Sequence, residues 1–113
     1  MAIQTEISKF ISSLKSKYKN ILKTLIIEKY IDNDGKPVLY LITILIKKSQ
    51  RNKGYGNAIM SEITNFADQQ QLPMELKVSD IYGSDIKRLI NFYRKNNFFP
   101  IEDCKMRYLP KKV

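Results

Sequence analysis

The stretch VLYLITILIKKSQRNKGYGNAIM, residues 38–60, changes character twice. Residues 38–46 are nearly all apolar and rich in β-branched side chains. That composition predicts a central strand buried on both faces. From Ile59, apolar residues recur at helical spacing through Met60, Ile63, Phe66 and Ala67, which predicts an amphipathic helix. Between them, QRNKGYG (50–56) carries two glycines and two basic residues. Lys47 and Lys48 stand just upstream, and no acid falls between 47 and 53.

A buried strand that enters a glycine-containing loop and then a helix is a recurring anion site. The first amides of a helix lack internal partners, and the helix dipole adds positive partial charge there. Gly54 and Gly56 allow a tight turn and leave no β-carbon in the way of a phosphate. Arg51 and Lys53 add full charges. Two familiar phosphate loops do not fit. The P-loop ends in Gly-Lys-Ser/Thr, and the dinucleotide fingerprint needs three glycines. On residue chemistry alone, an anion site and an ordinary surface connection both remain open.

Working outward, Ile3, Ile7, Phe10, Ile11, Leu14 and Tyr18 mark one face of a first helix. Lys9, Lys15, Lys17, Lys19 and Lys23 stand on its other side. Residues 22–31 are rich in Ile and Leu, and Asp34-Gly35 is a hairpin turn signal. The runs on either side of it are expected to pair antiparallel. Downstream, Pro73 stops the second helix, and MELKVS (74–79) alternates as a strand. Ser84 or Asp85 is a plausible N-cap for a third helix marked by Ile86, Leu89, Ile90 and Tyr93. That helix ends near Asn96-Asn97, and one or two short strands follow around Pro100. The expected order is α-β-β-α-β-α-β(-β), an α/β or α+β mixed sheet covered by helices, in a single domain over residues 1–113.

The bulk composition fits this. The chain has 113 residues, 43% hydrophobic and 27% charged, which suits one compact globular core. No apolar run is long enough for a membrane span. The start of the chain does not read as a secretory signal. Cys104 is alone, so it has no internal disulfide partner. These features predict a cytoplasmic protein. Histidine is absent, so neither a His-based triad nor an ordinary zinc site is expected. The formal charge of +9 suggests an anionic partner.

Arg51-Asn52-Lys53-Gly54-Tyr55-Gly56 fits the pattern [Q/R]-x-x-G-x-[G/A]. It resembles the acetyl-coenzyme A pyrophosphate loop of the GNAT acetyltransferase family. LINFYRKNNF (89–98) resembles that family's L-x-x-[FL]-Y-x-x-x-G-F segment, and Tyr93 lies five residues before Phe98 as it does there. The order of strand, loop, helix, strand and Tyr-bearing helix agrees as well, so the resemblance covers about residues 38–99. It implies a mixed, mostly antiparallel sheet whose central strands splay apart to admit acetyl-coenzyme A. Backbone amides from Arg51, Asn52, Lys53, Gly54, Tyr55, Gly56 and Asn57 would bind the pyrophosphate. Leu45, Ile46 and Lys47 would pair with the pantetheine arm. Tyr93 would protonate the leaving thiolate, since its hydroxyl is a donor at neutral pH.

Some positions depart from the pattern. Asn52 stands where a glycine is frequent, and Asn97 replaces the glycine before the terminal Phe. Ile86 falls where the family commonly has a coenzyme-binding Asn, a contact that Ser84 could supply instead. Only one helix, with no strand before it, precedes the first strand pair, as in minimal members of the family.

The resemblance implies direct attack of an amine, most simply one on a protein, on the bound thioester, with no metal. Residues 38–48 carry no acid, so the general base is open. Glu28 and Glu75 are candidates, and each also reads as a solvated surface carboxylate. The basic surplus favours an acidic or nucleic-acid-associated partner, and an oligomer is compatible with the sequence. The alternative is a catalytically silent domain of the same fold that binds nucleic acid or an acidic protein through its basic surface.

Overall fold

The computed structural model describes residues 3–79 and 85–112. Its elements are α1 (Ile3–Lys17), β1 (Leu22–Ile31), β2 (Pro37–Ile46), α2 (Tyr55–Gln70), β3 (Met74–Lys77), α3 (Ile86–Lys95), β4 (Phe99–Glu102) and β5 (Lys105–Tyr108). The order is the one expected, with a short 3-10 turn, Lys48–Gln50, added inside the basic loop.

The five strands form one sheet in the order β1-β2-β3-β5-β4. Only the β2–β3 pair is parallel. The β1–β2 hairpin turns through Asp32–Lys36. Gly35 has φ 76°, and Asp32 Oδ1 accepts the amides of Asp34 and Lys36 at 2.9 Å each. The expected Asp-Gly turn is present, and Asp32 holds it.

One face of the sheet carries the core. Ile27, Leu39, Leu41, Met74, Leu76, Met106 and Tyr108 are all nearly inaccessible. They pack against Ile7 and Leu14 of α1 and Ile59, Met60 and Ile63 of α2. Phe10 stacks on Phe66 at 4.3 Å, which locks α1 to α2. Tyr18 donates to Glu62 at 2.6 Å, and Tyr108 donates to Asp68 at 2.7 Å. Helix α2 ends with Gln71 in a left-handed cap at φ 54°, two residues before Pro73. Asn97 also adopts a left-handed conformation, φ 71°, which accounts for the glycine usual there. Pro100 lies in β4, an edge strand, where its missing amide removes no ladder bond.

The opposite face is tied by charge. Glu75, paired in register with Tyr40 and Arg107, is only 4% exposed. Tyr30 donates to it, and Lys105 Nζ lies 3.4 Å from it. Arg107 Nε sits 3.0 Å from Glu75 Oε2, without the alignment of a hydrogen bond. The reading of Glu75 as a solvated surface carboxylate is therefore corrected. Alternation in MELKVS placed it off the core face, but partners far along the chain bury it there.

Strand β2 departs from expectation in a way that creates a site. It pairs with β3 only at Leu39, Tyr40 and Leu41. On its other side, Ile27 opposes Leu41 and Ile26 opposes Thr43, so Ile42 is an extra residue in a β-bulge. Beyond the bulge, the strand has β1 as its partner and no paired strand on the β3 side among the described residues. Val78, just past β3, donates its amide to the Cys104 carbonyl at 2.6 Å, on the side of β5. The two parallel strands thus diverge. Ile42 is 46% exposed and residues 43–46 are half-buried, so the expectation of burial on both faces holds only for the first half of the strand. No helix among the described residues is long and apolar enough to cross a membrane.

Candidate functional site

The divergence opens a cleft of about 1320 Å³. One wall is the second half of β2, and the far wall is α3 with Lys77 and Val78. The basic loop and the start of α2 close one end. Apolar strand residues therefore line a groove whose end is polar and cationic.

The loop is built by local bonds. The amide of Lys47 donates to Ile21 at 2.8 Å and ends the strand pairing. Gln50 donates to the Lys47 carbonyl at 2.8 Å, closing the 3-10 turn. Arg51 Nε folds back onto the Ile46 carbonyl at 3.1 Å and braces the strand end. The chain then reverses through two left-handed residues, Asn52 (φ 64°) and Gly54 (φ 85°). Ala58 donates to the Gly54 carbonyl at 3.2 Å, the first turn of α2. The amides of Gly54, Tyr55, Gly56 and Asn57 thus precede the first intrahelical bond. Gly54 has no side chain to cap them, and no acid stands in that turn. An anion is the natural partner for such a terminus.

The two glycines do different work. A β-carbon on Gly54 would meet nothing within 4 Å, so that position needs glycine for its φ. A β-carbon on Gly56 would lie 3.2 and 3.3 Å from the Phe92 ring. Gly56 therefore lets α2 approach α3. Each glycine thus has a reason within the fold itself, the turn at Gly54 and the helix approach at Gly56.

Of the residues singled out in the sequence, Leu45, Ile46, Arg51, Asn52, Gly54, Gly56, Asn57 and Tyr93 line the cleft. Lys47, Lys53 and Tyr55 do not, while Lys48 does. Sequence reasoning missed Tyr40, Arg88 and Phe92. Asp85, Arg88, Leu89 and Phe92 share one helical stripe. That stripe was readable once Tyr93 had placed the helix at the site. Arg88 Nη2 crosses to the loop and donates to Asn52 Oδ1 at 2.8 Å. Asn96 ties the far end of α3 to Asn57 at 3.3 Å. Ile86 faces the cleft, so the polar contact common in the resembled family is absent at that position. Ser84 lies outside the described residues, and Asp85 is the cap, accepting from the Lys87 amide at 2.9 Å.

Tyr93 reaches the cleft from the core. It is 9% exposed and packs edge-on against Phe92 and Phe98, at 5.2 and 5.8 Å between ring centres. Burial pushes its hydroxyl up to about 12, so it is neutral and a donor across the physiological range. No hydrogen-bond partner for that hydroxyl is present among the described residues. Neither proposed base lines the cleft. Glu28 is exposed on β1, and Glu75 is held by Tyr30, Lys105 and Arg107. Asp85 is the one carboxylate on the cleft wall among the described residues, and it is occupied as a helix cap.

The comparisons agree with this architecture. A model of the acetyltransferase (GNAT) family matches residues 26–98. A solved structure of AtaTR bound with AcCoA superposes with a TM-score of 0.63 at 10% identity, over 84% of this chain and 71% of that one. A tyrosine-to-phenylalanine mutant of the AtaT toxin bound to the C-terminus of the antitoxin AtaR gives 0.57 at 12% identity. The same mutant with the antitoxin C-terminus and acetyl-CoA gives 0.56 at 13%. Each of these last two matches covers 75% of this chain but 55% of the other, so the chain spans about half of their length. At such identities the likeness is one of fold. No curated protein matches the sequence.

Proposed function

The chain belongs to the acetyltransferase (GNAT) family, and from that premise we propose that it moves an acetyl group from acetyl-CoA to an amine, most simply one on a protein. One observation carries this reading: β2 parts from β3 beyond Leu41 and Leu76, and the gap leads directly to the uncapped start of α2. An extended pantetheine arm can add to the bare edge of β2 as a missing strand would. Its pyrophosphate then reaches the amides of Gly54 to Asn57. The Ile46 carbonyl is already taken by Arg51, so the arm pairs with strand groups before it.

The chemistry needs few side chains. The amine attacks the thioester carbonyl, the C–N bond forms and the C–S bond breaks. Fixing both reactants in the cleft removes much of the entropic barrier. Strand amides beside the carbonyl can stabilise its developing charge. Tyr93 faces the departing sulfur. A hydroxyl at about 12 is a weaker acid than a thiol, whose reference value is near 8.5. Tyr93 therefore acts by hydrogen-bonding the thiolate, and the proton shed by the amine passes through water to the sulfur. With Asp85 and Glu75 both engaged, the amine arrives as the free base or loses its proton to water.

The engaged carboxylates also favour a second reading, a silent binding domain on the same fold. Calorimetry with acetyl-CoA, followed by transfer of labelled acetyl to proteins of a cell lysate, separates the two. Wild type should bind the coenzyme and label a protein. Gly54→Glu, which sets a carboxylate before the α2 amides, should lose at least about 100-fold in affinity. Binding without transfer to any acceptor would favour the silent domain. No binding at millimolar coenzyme would end the acetyltransferase reading and leave the silent domain.

A further inference from the structure

We propose that Arg88 is the coenzyme-pyrophosphate ligand contributed by α3, and that Asn52 is the residue that positions it. The inference rests on the coenzyme reading above and adds to it a residue outside the loop. Arg88 and Asn52 line the same cleft from opposite sides and meet at 2.8 Å. The contact uses one of the five N–H donors of the guanidinium. A guanidinium's donors form a planar fork, the geometry that grips phosphate oxygens in pairs, and this one lines the cleft.

Asn52 makes sense only in this light. Its φ of 64° is the left-handed conformation in which glycine is the default, and asparagine is the side-chain-bearing residue that best tolerates it. A glycine would satisfy the backbone equally well but could not hold an arginine. Asparagine keeps the turn and adds an acceptor aimed across the cleft. On the other wall, Ile86 offers no polar group, and Arg88 is the cation of α3 that lines the cleft. Arg51, the other arginine that lines the cleft, is turned back onto the Ile46 carbonyl. Arg88 and the first residues of α2 thus border the same cleft, and the pyrophosphate is the group of the coenzyme that both would hold.

The test is calorimetry with coenzyme A and with dephospho-coenzyme A, which lacks the 3′-phosphate. Arg88→Ala should weaken both ligands equally, by about 10- to 100-fold. Arg88→Lys, which keeps the charge without the fork, should fall between wild type and Arg88→Ala. Asn52→Gly should cost about 3-fold, and adding it to Arg88→Ala should cost nothing more, because its effect passes through Arg88. Thermal midpoints should not change, since both side chains are exposed. A loss confined to coenzyme A would place Arg88 on the 3′-phosphate and overturn the assignment. So would an Arg88→Ala variant that binds like wild type while wild type binds well. If wild type binds neither ligand, the acetyltransferase reading falls and takes this inference with it.

Discussion

The two halves of β2 have nearly the same composition and opposite fates. Val38, Leu39 and Leu41 are at most 3% exposed, and Leu39, Tyr40 and Leu41 pair with a strand on either side. Residues 42–46 are as apolar, but among the described residues they pair with a strand on one side only and stay partly open. Hydrophobicity stabilises the fold in the first half and lines a groove in the second. A single inserted residue, Ile42, separates them. The bulge bends β2, while β3 is short and its continuation bonds toward β5. What looks like one long buried strand is a core strand joined to one wall of a cleft.

The comparison breaks most visibly under truncation. Leu39→Ala should cost about 2–5 kcal/mol, the range for a fully buried leucine that leaves a cavity. Leu45→Ala should cost less than about 1 kcal/mol, because its side chain is already partly solvated. Coenzyme affinity should reverse the order, weakened by Leu45→Ala and unchanged in whatever Leu39→Ala protein remains folded. Urea unfolding and calorimetry on the same two proteins decide it. Equal stability losses would mean that the open half is core after all.

Tyr93 stands where the two regimes meet, and its hydroxyl should count in one and not in the other. The ring is buried while the hydroxyl borders the cleft, with no partner among the described residues, so it adds little to the fold. Tyr93→Phe should therefore unfold at about the same temperature. Its kcat should fall about 100-fold with little change in KM, as expected for a donor that acts on charge appearing in the transition state. The pH profile adds a sign. The hydroxyl is held at about 12, so it stays protonated and gives no falling limb below pH ~10. With no free carboxylate at the cleft among the described residues, kcat/KM should rise with pH until the acceptor amine is deprotonated. A plateau beginning near pH 5–6 would reveal a carboxylate base.

Sequence periodicity recovered the element order and the helix faces, because these are local signals. Ile59, Met60 and Ile63 are buried as their spacing predicts. The loop was visible through its glycines and charges, and Asp85 through its place before a helical stripe. The cleft itself was not readable from local pattern. It depends on where β2 bulges against β1 and where β3 stops, and both are matters of register between distant segments. The burial of Glu75 was unreadable for the same reason, since its partners Tyr30 and Arg107 come from distant segments of the chain. Asn52 looked like a departure from a pattern, and only its φ and its contact with Arg88 explain it.

The smallest effect separates the two glycines. Gly54→Ala should destabilise by about 1–2 kcal/mol through its left-handed φ, whatever surrounds it. At Gly56 two terms compete. Alanine gains up to about 1 kcal/mol over glycine in a helix, but its methyl would press on the Phe92 ring at 3.2 Å, and overpacking costs about 1–3 kcal/mol. Gly56→Ala should therefore be destabilising by roughly 0–2 kcal/mol, from the difference of those terms. Combining each with Phe92→Leu resolves the causes. Removing the ring should turn Gly56→Ala neutral or stabilising and leave the cost of Gly54→Ala untouched, a coupling readable in a double-mutant cycle. Equal behaviour at both positions would mean that the helix approach, like the turn, is set by backbone conformation alone.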